Sequence, residues 1–169
     1  VTTNATSAIR VANNTIVSNI ASNMFQEMGG GMAFTLVPPA TNLVIANNLV
    51  ISNSSGLFQT PASPMTKPLL SHNNVFNLRT NYVNLTPGSN DVSRAALFID
   101  PPSGDYRLAT GSDDIDTADP DYAPFSDLNG IARPLDGNAD GQPVADLGAF
   151  EFVRAGQRGS IALPAIAEH

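Results

Sequence analysis

The sequence predicts an all-β chain: a right-handed parallel β-helix, or solenoid, of about three coils, plus an irregular acidic C-terminal cap. Three observations point there. Residues 11–19 read Val-Ala-Asn-Asn-Thr-Ile-Val-Ser-Asn, and residues 45–53 return as Ile-Ala-Asn-Asn-Leu-Val-Ile-Ser-Asn. A shorter echo, Asn-Asn-Val-Phe-Asn, occupies residues 73–77. The copies are unevenly spaced while the strand phrase stays constant, as coils with a fixed core and a variable loop require. Each coil of such a stack lies ~4.8 Å above the last, so like residues pile on like. Stacked asparagines then bond side chain to side chain, which satisfies amides that are costly to bury alone. Asn13, Asn47 and Asn73 are the expected column. The right hand follows from the general handedness of parallel crossovers. A β-sandwich with Asn-rich turns is the competing architecture, but it gives no reason for one phrase to return.

Taken in order, residues 1–8 are small and polar, as at the end of a loop or an incomplete coil. Residues 9–19 form the first strand region, and residues 20–26 a variable lateral stretch. Gly29, Gly30 and Gly31 precede a short alternating strand at residues 32–34; glycine permits close backbone approach or a tight corner. A phosphate-cradling reading is weak, because no Gly-Lys-Ser/Thr follows. Pro38 and Pro39 mark a loop before the second repeat. Residues 56–58 open another strand. Residues 59–68 carry three prolines and leave the ladder as an excursion. The third repeat spans residues 69–77. Pro87-Gly88 and Ser89-Asn90-Asp91 are turn signals. No stretch carries a helical period of useful length. The expected division is coils over 1–95, incomplete at the amino end, a capping region of the same domain over 96–153, and a tail over 154–169.

At 169 residues the chain fits one domain with a real core. Hydrophobic residues make up 42%, too many for a disordered chain, and the 13 Gly and 13 Pro indicate many turns. There is no Cys, so no disulfide or thiolate metal site can form. The net charge of −7 is unevenly placed. Glu27 and Asp91 are the only acids before residue 100, against Arg10, Lys67, Arg79 and Arg94; every other acid follows. That distribution argues against nucleic acid, which needs a basic face. It permits calcium, which needs clustered oxygens. No apolar run approaches the ~20 residues needed to span a bilayer.

The acidic part carries a resemblance. Phe98-x-Asp100-Pro101-x-x-Gly104-Asp105-Tyr106-Arg107-Leu108 is followed by Gly111-Ser112-x-x-Ile115-Asp116. Then come Asp127-x-x-Gly130-x-x-Arg133-Pro134 and Asp136-Gly137-x-x-Asp140-Gly141, closing on Asp146-x-Gly148-Ala149-x-Glu151. These ordered phrases resemble the C-terminal part of bacterial secreted right-handed parallel β-helix proteins of the choice-of-anchor Q domain type. The Asn-Asn-Thr-Ile-Val and Gly-Gly-Gly-Met-Ala-Phe phrases look like that family's coils. The resemblance spans about residues 9–152. It implies an extracellular or cell-surface location in a bacterium. It says little of activity, because the family label describes attachment. A sorting signal usually follows the acidic close, and residues 153–169 show none.

Asp136, Asn138 and Asp140, alternating before Gly141, are the candidate calcium ligands, resembling the first half of an EF-hand-type loop. The bidentate acid of the second half is missing; Leu147 stands at its position, and Asp146 and Glu151 are the nearby substitutes. The alternative is a turn whose carboxylates accept backbone N–H groups, capped by a salt bridge from Arg133 to Asp146 or Glu151. Asp113, Asp114 and Asp116 form a second acidic cluster, read as a solvated loop.

Enzymes on this fold cut polysaccharides. A lyase needs a base such as Lys67, Arg79 or Arg94, with His72 weaker, and often calcium at the uronate carboxyl; no lyase motif surrounds these. A hydrolase needs paired carboxylates, and the coils offer only Glu27 and Asp91. His72 fits better as a rung beside Asn73. Phe34, Phe58 and Phe76 read as interior filler; Tyr82 and Tyr122, in polar loops, are the candidates for stacking on glycans. A solenoid end exposes unpaired backbone groups and needs a plug. The chain starts at Val1, close to a strand. The first coil is therefore expected to meet upstream residues, another protein chain, or a second copy head-to-tail. The functional expectation is a non-catalytic extracellular structural or adhesive module that presents loops. The alternative is the C-terminal fragment of a polysaccharide lyase or glycoside hydrolase.

Overall fold

The computed structural model describes residues 9–21, 29–35, 43–61 and 67–157. Glu27, Phe25, Pro38, Pro39, His169 and residues 62–66 of the proline excursion lie outside them.

Each repeat phrase bends at its asparagine pair, so that one phrase supplies strands to two sheets. The first coil comprises β1 (Ile9–Ala12), β2 (Thr15–Val17) and β3 (Met32–Phe34). The second comprises β4 (Leu43–Ala46), β5 (Leu49–Ile51) and β6 (Leu57–Gln59). The third comprises β7 (Leu69–Ser71), β8 (Asn74–Phe76) and β9 (Tyr82–Val83). Three parallel sheets result, in the orders β1-β4-β7, β2-β5-β8 and β3-β6-β9. The described residues are thus essentially all-β, and the three stacked parallel sheets fit a β-helix-like solenoid. No helix among them is long and apolar enough to cross a membrane.

The bend needs a residue that tolerates left-handed backbone. Asn13, Asn47 and His72 hold that corner at φ 53, 58 and 52°; Asn is among the few non-glycine residues that adopt it at low cost. Ser18 and Ser52 make the next corner in the same way. Gly31 and Gly56 meet the third sheet. A Cβ on Gly56 would lie 2.2 Å from the Asn81 carbonyl oxygen, so only glycine lets the backbones approach there.

Strand alternation gives the stack its interior. Leu43, Ile45, Val50, Leu57, Leu70 and Val75 form the buried centre, with Val11, Ile16, Met32, Phe34, Tyr82 and Leu85 packed on it. The β2-β5-β8 sheet is buried on its other face too. Leu49 and Ile51 point outward into a second core with Leu108, Ile115, Ala118, Ala145 and Leu147. That second burial explains why residues 49–51 are apolar at successive positions, as in strands covered on both faces.

The acidic region was expected as an end cap, and it lies elsewhere. The edge of the third coil is met by residues 88–92, through parallel bridges from Ser89 to Ser71 and from Val92 to Asn74. The chain then forms an antiparallel hairpin, β10 (Phe98–Asp100) and β11 (Asp105–Leu108), joined through a short 3-10 turn at Pro101–Ser103. The rest returns along the flank of the stack. Asp114 bonds Asn74 of the third coil, Asp119 bonds Asn47 of the second, and the Asp146 and Gly148 carbonyls bond Asn13 of the first. It is a lateral clasp over one corner of all three coils. The outward Leu49 and Ile51 are the physical reason, because they need a cover that an end plug cannot supply.

Candidate functional site

Asparagine columns are present, one residue out of the expected register. Asn14 donates its backbone N–H and Nδ2 to Asn48 Oδ1, at 3.0 and 2.9 Å. Asn48 does the same to Asn73 Oδ1, and Asn73 to Asp91 Oδ1. A second column runs Asn19 to Asn53 to Asn77, and Asn77 N–H reaches Asn81 Oδ1. Asn13 and Asn47 do pair, through Asn47 Nδ2 to Asn13 Oδ1 at 3.2 Å. The third member of their corner is His72, because Ala46 is in register with Ser71. Asn73 therefore belongs with Asn14 and Asn48. The third repeat carries Asn74 where the others carry Thr15 and Leu49, and Asn74 Nδ2 reaches outward to Asp114. Asp91 ends its column: Oδ1 accepts both donors of Asn73, and Oδ2 accepts Gly88 N–H and the Tyr82 hydroxyl.

His72 brings a serine and an acid together without making a nucleophile. Ser71 Oγ donates to Asp119 Oδ2 and lies 2.8 Å from His72 Nδ1, while Asp119 Oδ2 is 3.4 Å from the same nitrogen. Asn90 Nδ2 donates to His72 Nε2, which in a neutral ring leaves the proton on Nδ1. Acyl-transfer chemistry needs the hydroxyl and the acid on opposite ring nitrogens; here both face Nδ1. The cluster ties the clasp to the corner.

The clasp has little regular structure, so its buried N–H groups need other acceptors. Its carboxylates supply them. Asp127 accepts from the N–H of Asn129, Ile131 and Glu151. Asp146 accepts from Asp116 and Phe152, and Asp116 from Gly137 and Asn138. Glu151 accepts from Leu135 and Asp146. Arg133 Nε is 3.2 Å from Glu151 Oε2, and its two terminal nitrogens donate to the Asp146 and Gly148 carbonyls. Arg133 thus meets the backbone of Asp146 and the side chain of Glu151. Burial, and then the Glu151 charge, push the Asp146 carboxyl up to about 8. Burial also raises Glu151 and lowers Arg133, whose neighbouring carboxylates oppose the shift.

The candidate calcium ligands do not fit one ion. Asp136 accepts from Asp140 and Gly141, Asn138 from Asp140, and Asp140 from Gln142 and Asn138. They form an exposed turn with its oxygens bonded to N–H groups. Asp146 and Glu151 are buried and bonded to other amides. Among the described residues no group of three or more His, Asp or Glu side chains is placed to hold a metal. Asp114 is buried against Asn74, with Arg94 Nε 3.7 Å away, instead of lying in a solvated loop.

The candidate bases are not gathered: Lys67 and Arg79 are exposed and Arg94 faces Asp114. Tyr82 is part of β9, packed on the interior, with its hydroxyl on Asp91; burial first and then Asp91 raise its pKa. It offers no open ring for a sugar. The Tyr122 ring is covered by the Arg10 guanidinium, 5.5 Å from its centroid. Phe34 packs on the interior and Phe58 is buried, but Phe76 points outward, 41% exposed. Several clefts border the clasp, two of them beside Pro124. One, about 350 Å³, is lined by Pro120, Pro124, Phe125, Pro134 and Val144 among others. The other, about 420 Å³, lies between residues 12–16 of the first coil and Pro124, Ser126 and Leu128 of the clasp.

The second column, the role of Asp91 as its neighbour's terminus, and the Asp114 and Asp119 bridges escaped the sequence reading. The closing Asn of each phrase was the available signal for the second column. No protein-family model, no curated protein and no solved structure matches this chain.

Proposed function

We propose that the chain is a non-catalytic structural module. It is a right-handed parallel β-helix of the choice-of-anchor Q type, placed outside a bacterial cell or on its surface. It presents loops to glycans and joins another chain at its first coil. The observation that supports this most is the employment of the acids. Four carboxylates of the clasp, Asp116, Asp127, Asp146 and Glu151, are bonded to backbone N–H groups and hold its irregular chain together. Withdrawing any one of them for chemistry would orphan a buried amide. The right hand rests on the general rule for parallel crossovers.

An activity screen on uronate polymers and neutral polysaccharides, with and without calcium, tests the reading. No turnover is expected in either condition. Turnover that depends on Arg94 or Asp91 would replace the structural module with an enzyme.

A further inference from the structure

Three corner residues hold the clasp, and one of them differs in kind. On the first coil Asn13 Nδ2 donates to the Asp146 and Gly148 carbonyls. On the second, Asn47 Nδ2 donates to the Asp119 carbonyl at 2.9 Å, and Asp119 N–H donates to Asn47 Oδ1 at 2.7 Å. Both are neutral amides, and their hold does not change with pH. The third coil carries His72 in that place, with the same left-handed backbone at φ 52°. Histidine is the side chain whose charge ordinarily changes between pH 5 and 8. Its hold on the clasp also runs to a carboxylate and not to backbone. Nδ1 lies 2.8 Å from Ser71 Oγ, which donates to Asp119 Oδ2, and 3.4 Å from that oxygen itself.

The charges around the ring are of one sign. The clasp brings Asp119, whose other oxygen accepts the N–H of Asp121. Residues 88–92 bring Asn90, on Nε2, and Asp91, whose carboxylate is turned to Asn73, Gly88 and Tyr82. The third coil brings Ser71 and Asn73, and the second brings Asn47. Among the described residues no Lys or Arg is ion-paired with Asp119. The His72 side chain is 23% exposed and that of Asp119 17%, so solvent screens a charge between them only in part.

We infer that His72 is a proton-operated latch on the clasp. With the ring neutral, the third coil holds Asp119 by a hydrogen-bond chain through Ser71. With the ring protonated, the same contact becomes a charge-assisted pair. The clasp then closes more firmly over the outward Leu49 and Ile51. Asn90 is exposed, so its amide turns over to present Oδ1 to the new Nε2–H. The contact with residues 88–92 therefore survives in both states, and the change falls on the clasp. By linkage the added hold is present while the ring is protonated and is lost as it deprotonates. The inference stands on the corner column and does not depend on what the module binds.

The test is amide hydrogen exchange by NMR on the 169-residue chain between pH 5 and pH 8. Rates are expressed as protection factors, so that the intrinsic pH dependence of exchange cancels. The amides read are those of Ala118 and Asp119, bonded to the Ala145 carbonyl and to Asn47. Two variants separate the ring from the buried acids of the clasp, whose burial also favours mild acid. His72→Asn places at this corner the residue that the other two coils carry, which tolerates the left-handed backbone. Asp119→Asn keeps the side-chain shape and removes the charge. The ratio of protection at pH 5 to that at pH 8 is expected to be about threefold larger in the unaltered chain than in either variant, the scale of a half-buried ion pair. Its midpoint is expected to match the titration of the His72 ring signals, identified by their loss in His72→Asn. The same ratio in all three proteins, a midpoint apart from that of the ring, or a ring that keeps one charge state from pH 5 to pH 8 would each overturn the inference. If a variant fails to fold, the match of midpoints in the unaltered chain decides alone.

Discussion

Asn48 Oδ1 receives both the backbone N–H and the side-chain amide of Asn14, at 3.0 and 2.9 Å. Asn48 Nδ2 in turn reaches the carbonyls of Val11 and Ala46 and the Oδ1 of Asn73. One fully buried side chain therefore joins three coils. Asn48→Asp keeps the acceptor, deletes the donor and buries a charge against carbonyl oxygens. We expect a loss of about 3 kcal/mol or more. Urea unfolding followed by circular dichroism checks it; a loss under ~0.5 kcal/mol, the range of ordinary surface changes, would show the column to be incidental.

Gly148 anchors the clasp to the first coil. Its backbone is left-handed at φ 83°, and a Cβ there would lie 2.6 Å from Thr15 Oγ1 and 2.7 Å from a Leu49 methyl. Gly148→Ala meets both backbone strain and a clash, at a cost of about 1–3 kcal/mol. Hydrogen exchange is expected to quicken at Leu147 and Gly148, whose N–H groups bond Asp114 and Asn47 carbonyls. Unchanged exchange there would mean that the clasp is not held at this point.

The chain should be more stable in mild acid than in base. Asp114, Asp116, Asp146 and Glu151 are all raised by burial. The folded state therefore holds protons that the unfolded state has released. Their contribution is complete below the ordinary carboxylate range and is lost as pH rises, for Asp146 through about 8. Thermal melts are expected to give a higher Tm at pH 5 than at pH 9. The reverse order would show these groups to be charged in the fold.

Calcium should change little. The oxygens of Asp136, Asn138 and Asp140 already accept N–H groups in an exposed turn. Millimolar CaCl₂ is expected to leave the Tm within about 1 °C, because a ligand stabilises only in proportion to its occupancy. A rise of several degrees, abolished by Asp140→Asn, would restore the ion site.

The coils were legible because their period is written in residue identity: the Asn-Asn corner and the apolar strand recur together. Register was harder. His72-Asn73 occupies the place of Asn13-Asn14, and counting asparagines aligns the wrong pair; the Ala46 to Ser71 pairing decides it. The clasp was legible as acidic and irregular, but its position was not. Nothing local tells that Leu49 and Ile51 face outward under it. The alternating acids resembled half a cation loop because carboxylates that bind N–H groups and carboxylates that bind a metal obey similar spacing. Only the surrounding amides separate the two.

The stacking itself is best tested by backbone NMR on the labelled chain. The account predicts sequence-remote contacts from Val50 to Ile16 on one side and to Val75 on the other, with parallel-sheet Hα to N–H connectivities. Close Hα to Hα contacts of an antiparallel sheet through these three residues would contradict it.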